Sequence, residues 1–427
     1  MLTIILLSFA VLLVLGVPIT FSMGFSAVLA FVLGHSPIPW LVIPQRLFVA
    51  MDSFPLMAIP LFILAGELMN TGGITSRIVQ FASSLVRHIR GGFAHVTIVA
   101  SMIFAGISGA AAADASAIGA MMVPAMEKSG YDRDYAVAVT ASAATIGPII
   151  PPSILMIIYG SITGLSIGGL FLGGFIPGIL VGLAFMLVAY IIARKRGYGS
   201  QPRASLSEVW SSFKGALAAL LMPVIILGGI LSGVFTATEA GVIAVAYGFI
   251  VGLFITRELK FMDIKRILVD SAVVSAVTML IIAAAQVMGW ILAIEQAPRL
   301  AVNGLLSLSN NGQVVLMLLL AFLYVLGFFF DGTAAMILLV PLFQPIVAQF
   351  GFDPIFFADL VIITILVGCI TPPVGITLFI SCSIAKVKLT EGSRAIWPFV
   401  AAMLAVVALI AFFPSLITFL PNLILKH

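Results

Sequence analysis

Two aspartates in apolar surroundings, Asp114 and Asp331, are the residues of this chain best placed to do chemistry. Each stands ten residues before a proline, Pro124 or Pro341. Each is then followed by a Gly-aromatic-Asp triplet, Gly130-Tyr131-Asp132 or Gly351-Phe352-Asp353, and by a Pro-Pro pair, Pro151-Pro152 or Pro372-Pro373. A carboxylate in such surroundings is costly to ionise and marks a pathway for an ion, a proton or a substrate. Pro donates no N–H and Gly permits tight backbone, so the breaks nearby release carbonyls from helical bonding. Freed carbonyls, Ser and Thr hydroxyls and one carboxylate per copy form oxygen cages for a hard monovalent cation, and sodium fits best. Half-helix N-termini at the same breaks offer N–H groups and partial positive charge to an anionic carboxylate.

The elements that must position these residues are membrane helices. In 427 residues, 62% are hydrophobic, 8% are charged and the mean hydropathy is +1.27. A soluble globular chain would carry roughly a quarter of charged residues. The net charge of +4 is too small to point to nucleic acid. Spanning takes about 20 apolar residues. The candidate crossings are 2–16, 20–34, 54–70, 134–163, 167–193, 216–234, 239–256, 267–290, 355–385 and 394–414. The stretches 93–127 and 313–349 are apolar but interrupted at SGAAAAD and GFFFDG. As continuous helices they would run roughly 50 Å, past a 30 Å hydrocarbon core. They therefore read as re-entrant helical hairpins.

With the hairpins not crossing, all of the 20 Lys and Arg except Arg46, Arg299 and Lys426 fall on one side. The positive-inside rule makes that side cytoplasmic and turns both termini outward. Each repeat then has an odd number of crossings, so the second is inverted. The expected fold is an all-α polytopic membrane protein of two inverted-topology repeats, each with a re-entrant hairpin and a broken helix. Residues 1–200 form the first repeat, with scaffold helices in 1–90, the cytoplasm-side hairpin 93–127 and the broken helix 134–163. Residues 201–427 form the second, with scaffold helices in 216–308, the periplasm-side hairpin 313–349 and the broken helix 355–385.

Other chemistries lack their parts. Cys369 and Cys382 sit in apolar sequence and make neither a disulfide framework nor a thiolate site. His35, His88, His95 and His427 show no HExxH spacing, and no GxxxxGK[ST] run exists to hold a nucleotide. Gly106-Ile107-Ser108-Gly109 matches the GxSG of intramembrane serine proteases, but no His follows residue 95 until His427. Asp114 and Asp331 are not in the YD or GxGD contexts of intramembrane aspartyl proteases. Residues 2–16 lack the basic start and cleavage site of a secretory signal. Their continuation at Gly16-Val17-Pro18-Ile19-Thr20 aligns with Gly233-Val234-Phe235-Thr236-Ala237 at the spacing of 217 that relates the two aspartates. The first helix therefore belongs to the fold. Glu67, Glu239 and Gln286 lie near predicted helix ends or lack a repeated context and read as structural.

The motifs GVPITFSMG near the start, IPLFILAGELM at 59–69, SGAAAADASAIG at 108–119, ASAATIGPIIPPSI at 141–154, DGTAAMILLVP at 331–341 and TPPVGITLF at 371–379 carry a resemblance. The chain resembles, over essentially its whole length, the large membrane subunit of TRAP (tripartite ATP-independent periplasmic) transporters. That resemblance implies sodium-driven import of an organic acid, of the C4-dicarboxylate or sialic acid type, by an elevator motion. It implies as partners a separate small four-helix membrane subunit and a periplasmic substrate-binding protein, in a bacterial inner membrane, with Na+ as coupling ion and no other cofactor. Ser108, Gly109, Asp114, Thr145 and Gly147 match the first sodium site, and Gly327, Asp331, Gly368 and Thr371 the second. Ser116, Pro151, Ser153, Thr333, Pro372 and Thr377 are the candidates for substrate contacts. Relatives often carry a further Ser where this chain has Ala110, so a carbonyl would replace that hydroxyl. A proton-coupled organic-anion transporter, in which the two aspartates titrate, is the alternative; a channel or scaffold would work without any binding protein.

Overall fold

The computed structural model describes residues 1–34, 39–328, 330 and 332–425, and among them every regular element is a helix. The chain begins with α1 (Leu2–Val14), α2 (Ile19–Leu33), α3 (Val42–Met51), α4 (Ala58–Thr71) and α5 (Ile74–Val86). The first stretch around an aspartate forms α6 (Gly92–Ser108) and α7 (Ala111–Lys128), and the next forms α8 (Arg133–Ala144) and α9 (Ile154–Thr163). Long α10 (Ile167–Arg196) closes the first half. The second half opens with α11 (Leu206–Leu231), α12 (Ala237–Ile250), α13 (Phe261–Ile294) and α14 (Ala297–Leu308). It continues with α15 (Gly312–Gly327), α16 (Gly332–Phe350), α17 (Pro354–Gly368), α18 (Ile376–Ala385), α19 (Leu389–Phe412) and α20 (Ser415–Ile424). Among the described residues six helices are long and apolar enough to cross a membrane alone, or up to eight spans if two bent pairs count.

The breaks have local causes. Gly109 takes φ +62, a left-handed conformation open to Gly at little cost, and turns the chain from α6 into α7. The repeated triplets are likewise turns: Gly130 and Gly351 adopt φ +81 and +65 after α7 and α16. Asp353 then caps α17, its carboxylate accepting from Phe356 N at 2.9 Å. Both Pro-Pro bonds are cis. Glu239 closes a capping box with Thr236 at the start of α12, a purely structural task.

The two halves pack reciprocally. From the first half, α9 lies against α16; from the second, α18 lies against α7 and α8. The first break, 145–153, is packed mainly by its own half, with Pro152 against Gly109, Gly147 against Asp114, and Ile149 and Ile150 against Gly174 and Gly178 of α10. Four short helices have no counterpart among the expected crossings: α3, amphipathic α5, α14 and α20. The α3–α4 pair bends by 63° and the α14–α15 pair by 120°.

One ionic cluster fastens α10 to α8. Arg196 reaches Asp132 at 2.8 Å and both carboxylate oxygens of Asp134 at 3.0 Å, and its guanidinium lies 5.6 Å from the Tyr135 ring centroid. Tyr198 donates to Asp132 at 2.7 Å and stacks on Tyr131; partial burial pushes its phenol above the usual range. Because the cluster meets water, Arg196→Ala is expected to cost only about 1–2 kcal/mol, read as a drop of a few degrees in the thermal midpoint of purified protein. A fall as large as that of a core truncation would contradict this account.

Candidate functional site

A cavity of about 410 Å³ lies where the hairpins and broken helices meet. The first residues of four half-helices line it: Ala111–Ala113 of α7, Ile154 and Leu155 of α9, Gly332 and Thr333 of α16, and Ile376 and Thr377 of α18. Each helix start directs a partial positive charge at the cavity, while the Ile154 and Thr377 N–H groups already donate to the Gly109 and Cys369 carbonyls. No Lys or Arg is among its lining residues. The facing wall comes from α4 and α13, through Ile63, Gly66, Glu67, Asn70, Val274 and Thr278. Glu67, expected to be structural, thus faces the cavity, and its position inside an otherwise apolar motif was the available signal.

Asp114 sits directly behind the first wall, in the opening turn of α7 and fully buried. Ser108 donates its hydroxyl to Asp114 Oδ1, while Oδ2 has no partner. A methyl group on Gly147 would run into this carboxyl, so Gly147 is what lets the break approach Asp114. At the same break the Thr145 carbonyl receives no backbone hydrogen bond: Pro148 has no N–H, and Ile149 donates to Ile146. Asp114 thus offers an orphaned carboxylate oxygen beside the Ser108 hydroxyl, and the open Thr145 carbonyl lies two residues before the Gly147 that touches this carboxyl. Such oxygens suit a hard monovalent cation. Groups of three or more His, Cys, Asp and Glu that would hold a transition metal are absent among the described residues.

The other expected residues divide. Ser108, Gly109, Ser116, Thr333 and Thr377 line the cavity, and Ala110 does too. The Thr145 hydroxyl turns away to the Ser142 carbonyl at 2.7 Å, leaving only its carbonyl for an ion. Ser153 does not line the cavity; it caps α9, accepting from Met156 N at 3.3 Å and donating to the Pro148 carbonyl at 2.6 Å. Pro151 and Pro372 are also outside the lining and act by breaking the helices. Gly327 and Gly368 cross backbone to backbone, with no room for a methyl on Gly368. Thr371 donates to the Val367 carbonyl at 2.6 Å, and Thr377 to the Cys369 carbonyl at 2.8 Å across the second break. Asp331 lies outside the described residues.

This architecture has relatives. Residues 6–416 match the family model for the tripartite ATP-independent periplasmic transporter, DctM component. The chain belongs to that family. This DctM component is 39% identical over 412 residues to the "Sialic acid TRAP transporter large permease protein SiaM" of Vibrio cholerae, covering 96% of each chain. It is 36% identical over 401 residues to the "C4-dicarboxylate TRAP transporter large permease protein DctM" of Pseudomonas aeruginosa, covering 94% of each. In fold the DctM component resembles the YdaH transporter of Alcanivorax borkumensis, with a TM-score of 0.59 at 13% identity over 87% of each chain. It also resembles MtrF of Neisseria gonorrhoeae, with 0.61 at 14% identity over 87% of this chain and 84% of that one. The DctM component is accordingly a multi-pass membrane permease of a TRAP transporter and not an enzyme.

Proposed function

We propose that this permease imports an organic acid, of the sialic acid or C4-dicarboxylate type, together with sodium. The observation that carries the reading is the convergence of four half-helix N-termini on one cavity beside the orphaned oxygen of Asp114. The N-termini take the substrate carboxylate and Asp114 takes the ion, so each charge lowers the cost of binding the other. The Ser108 hydroxyl on Oδ1 and the empty lone pairs of Oδ2 give a sodium ion the oxygen ligands it needs beside one carboxylate. The Gly327–Gly368 junction and Asp331 form the second sodium site, with the inverted relation the repeats imply.

The moving body comprises α6–α9 and α15–α18, with α10 fastened to it through Arg196, and it slides as an elevator against a scaffold of α1–α5 and α11–α14. The protein resides in the inner membrane with both termini periplasmic. A small four-helix subunit braces the scaffold, and a periplasmic binding protein delivers the substrate. The test is uptake of labelled N-acetylneuraminate and succinate into proteoliposomes holding this chain, its small subunit and its binding protein. Accumulation of either acid that needs an inward sodium gradient is expected. Uptake that follows a proton gradient and ignores sodium would overturn the coupling, and flux without the binding protein would point to a channel.

A further inference from the structure

Asp359 stands in the middle of α17, fully buried, and neither of its carboxylate oxygens has a partner. It is remote from the cavity lining and has no repeated counterpart: the first half carries Ala138 at the spacing that relates the two triplets. Its carboxyl instead presses on Gly173 of α10, where a methyl group would collide with Oδ2 and with Ile417 of α20. Four residues further along α10 stands Pro177. Having no N–H, Pro177 cannot close the helical bond to the Gly173 carbonyl, which is left one donor short. An unpartnered carboxyl and a backbone acceptor without its donor therefore occur at the same helix crossing.

We infer that Asp359 holds a proton and donates it to the Gly173 carbonyl, forming a neutral latch between α17 and α10. An isolated ionised carboxylate in such a place would cost far more than one that keeps its proton. Among the described residues, no helix packed against α17 places a cation at its level. Of the elements packed against α17, α16 and α20 carry no ionisable side chain, and α9 contributes only Tyr159. The ionisable residues of α10 are Tyr190, Arg194, Lys195 and Arg196 near its end, α15 has Tyr324, and α19 has Glu391 and Arg394 in its first turns. On α17 itself the nearest is Asp353, the helix cap, which is acidic too. A metal ion would need several oxygens where one free carbonyl is present; a proton needs one. The latch sets the position of α17, whose last residue, Gly368, forms the tight junction with Gly327.

Infrared difference spectra between the wild-type protein and Asp359→Asn in lipid nanodiscs at neutral pH test this. The wild type is expected to show one additional carboxylic-acid C=O band, shifted by deuteration and missing from the variant. Ionised-carboxylate bands in its place would overturn the inference. Pro177→Ala returns an N–H to the Gly173 carbonyl, so the band should move to the position of a more weakly bonded acid. An unmoved band would place the acceptor elsewhere and overturn the latch. Should Asp359→Asn not fold, the comparison of wild type with Pro177→Ala decides alone.

Discussion

Asp114→Asn is expected to abolish sodium-dependent uptake while leaving the protein folded. The amide has nearly the shape of the carboxylate and keeps an oxygen for the Ser108 hydroxyl, but it removes the charge opposite the ion. Losing one member of a buried charge pair costs about 3 kcal/mol or more, roughly a 100-fold loss of sodium affinity. Sodium chloride should raise the thermal midpoint of the wild type relative to choline chloride, because a ligand that binds only the folded state stabilises it. The variant should melt at the same temperature in both salts. If sodium stabilises the variant as much as the wild type, Asp114 is not a ligand.

Gly368→Ala is expected to be strongly destabilising. At the end of α17 that methyl would lie within the backbone of Gly327, which cannot swing aside as a side chain could. Overpacking commonly costs 1–3 kcal/mol, and a clash between two backbones belongs at or above the upper end, about 3 kcal/mol or more. The measurement is thermal unfolding in detergent, with Gly215→Ala as the comparison. Gly215 is an exposed helical position with open space around it, so Ala there should be neutral or stabilising by up to about 1 kcal/mol. Equal midpoints for the two variants would show that the Gly327–Gly368 crossing is looser than described.

The sequence makes some of this architecture legible and hides other parts for physical reasons. Asp114, the glycines and the Pro-Pro pairs are legible because each is expensive in an apolar helix and so announces a break. Short helices such as α5 and α20 escape a criterion built on about 20 apolar residues, since they do not need to cross anything. Ser153 illustrates a different loss: a serine beside a helix start suits a ligand or a cap equally well in sequence, and only the 3.3 Å contact from Met156 N decides for the cap. Glu67 is overlooked because it is the one charged residue on a face of α4 that also carries Ile63, Gly66 and Asn70 to the cavity, so the sequence around it reads as an ordinary apolar helix. Asp359 is hidden because its partner, the Gly173 carbonyl, belongs to the backbone and is freed by a proline in another helix.

The reciprocal packing of α9 on α16 and of α18 on α7 and α8 sets the order in which the molecule can be made. When residue 128 enters the membrane the first hairpin is covalently complete, yet the helix that covers it, Ile376–Ala385, has still to be synthesised. The faces of α7 and α8 that pack on α18 therefore stay uncovered until the second half is nearly complete. Assembly of this protein is thus a late, single closure of two interleaved halves rather than the addition of one finished repeat to another.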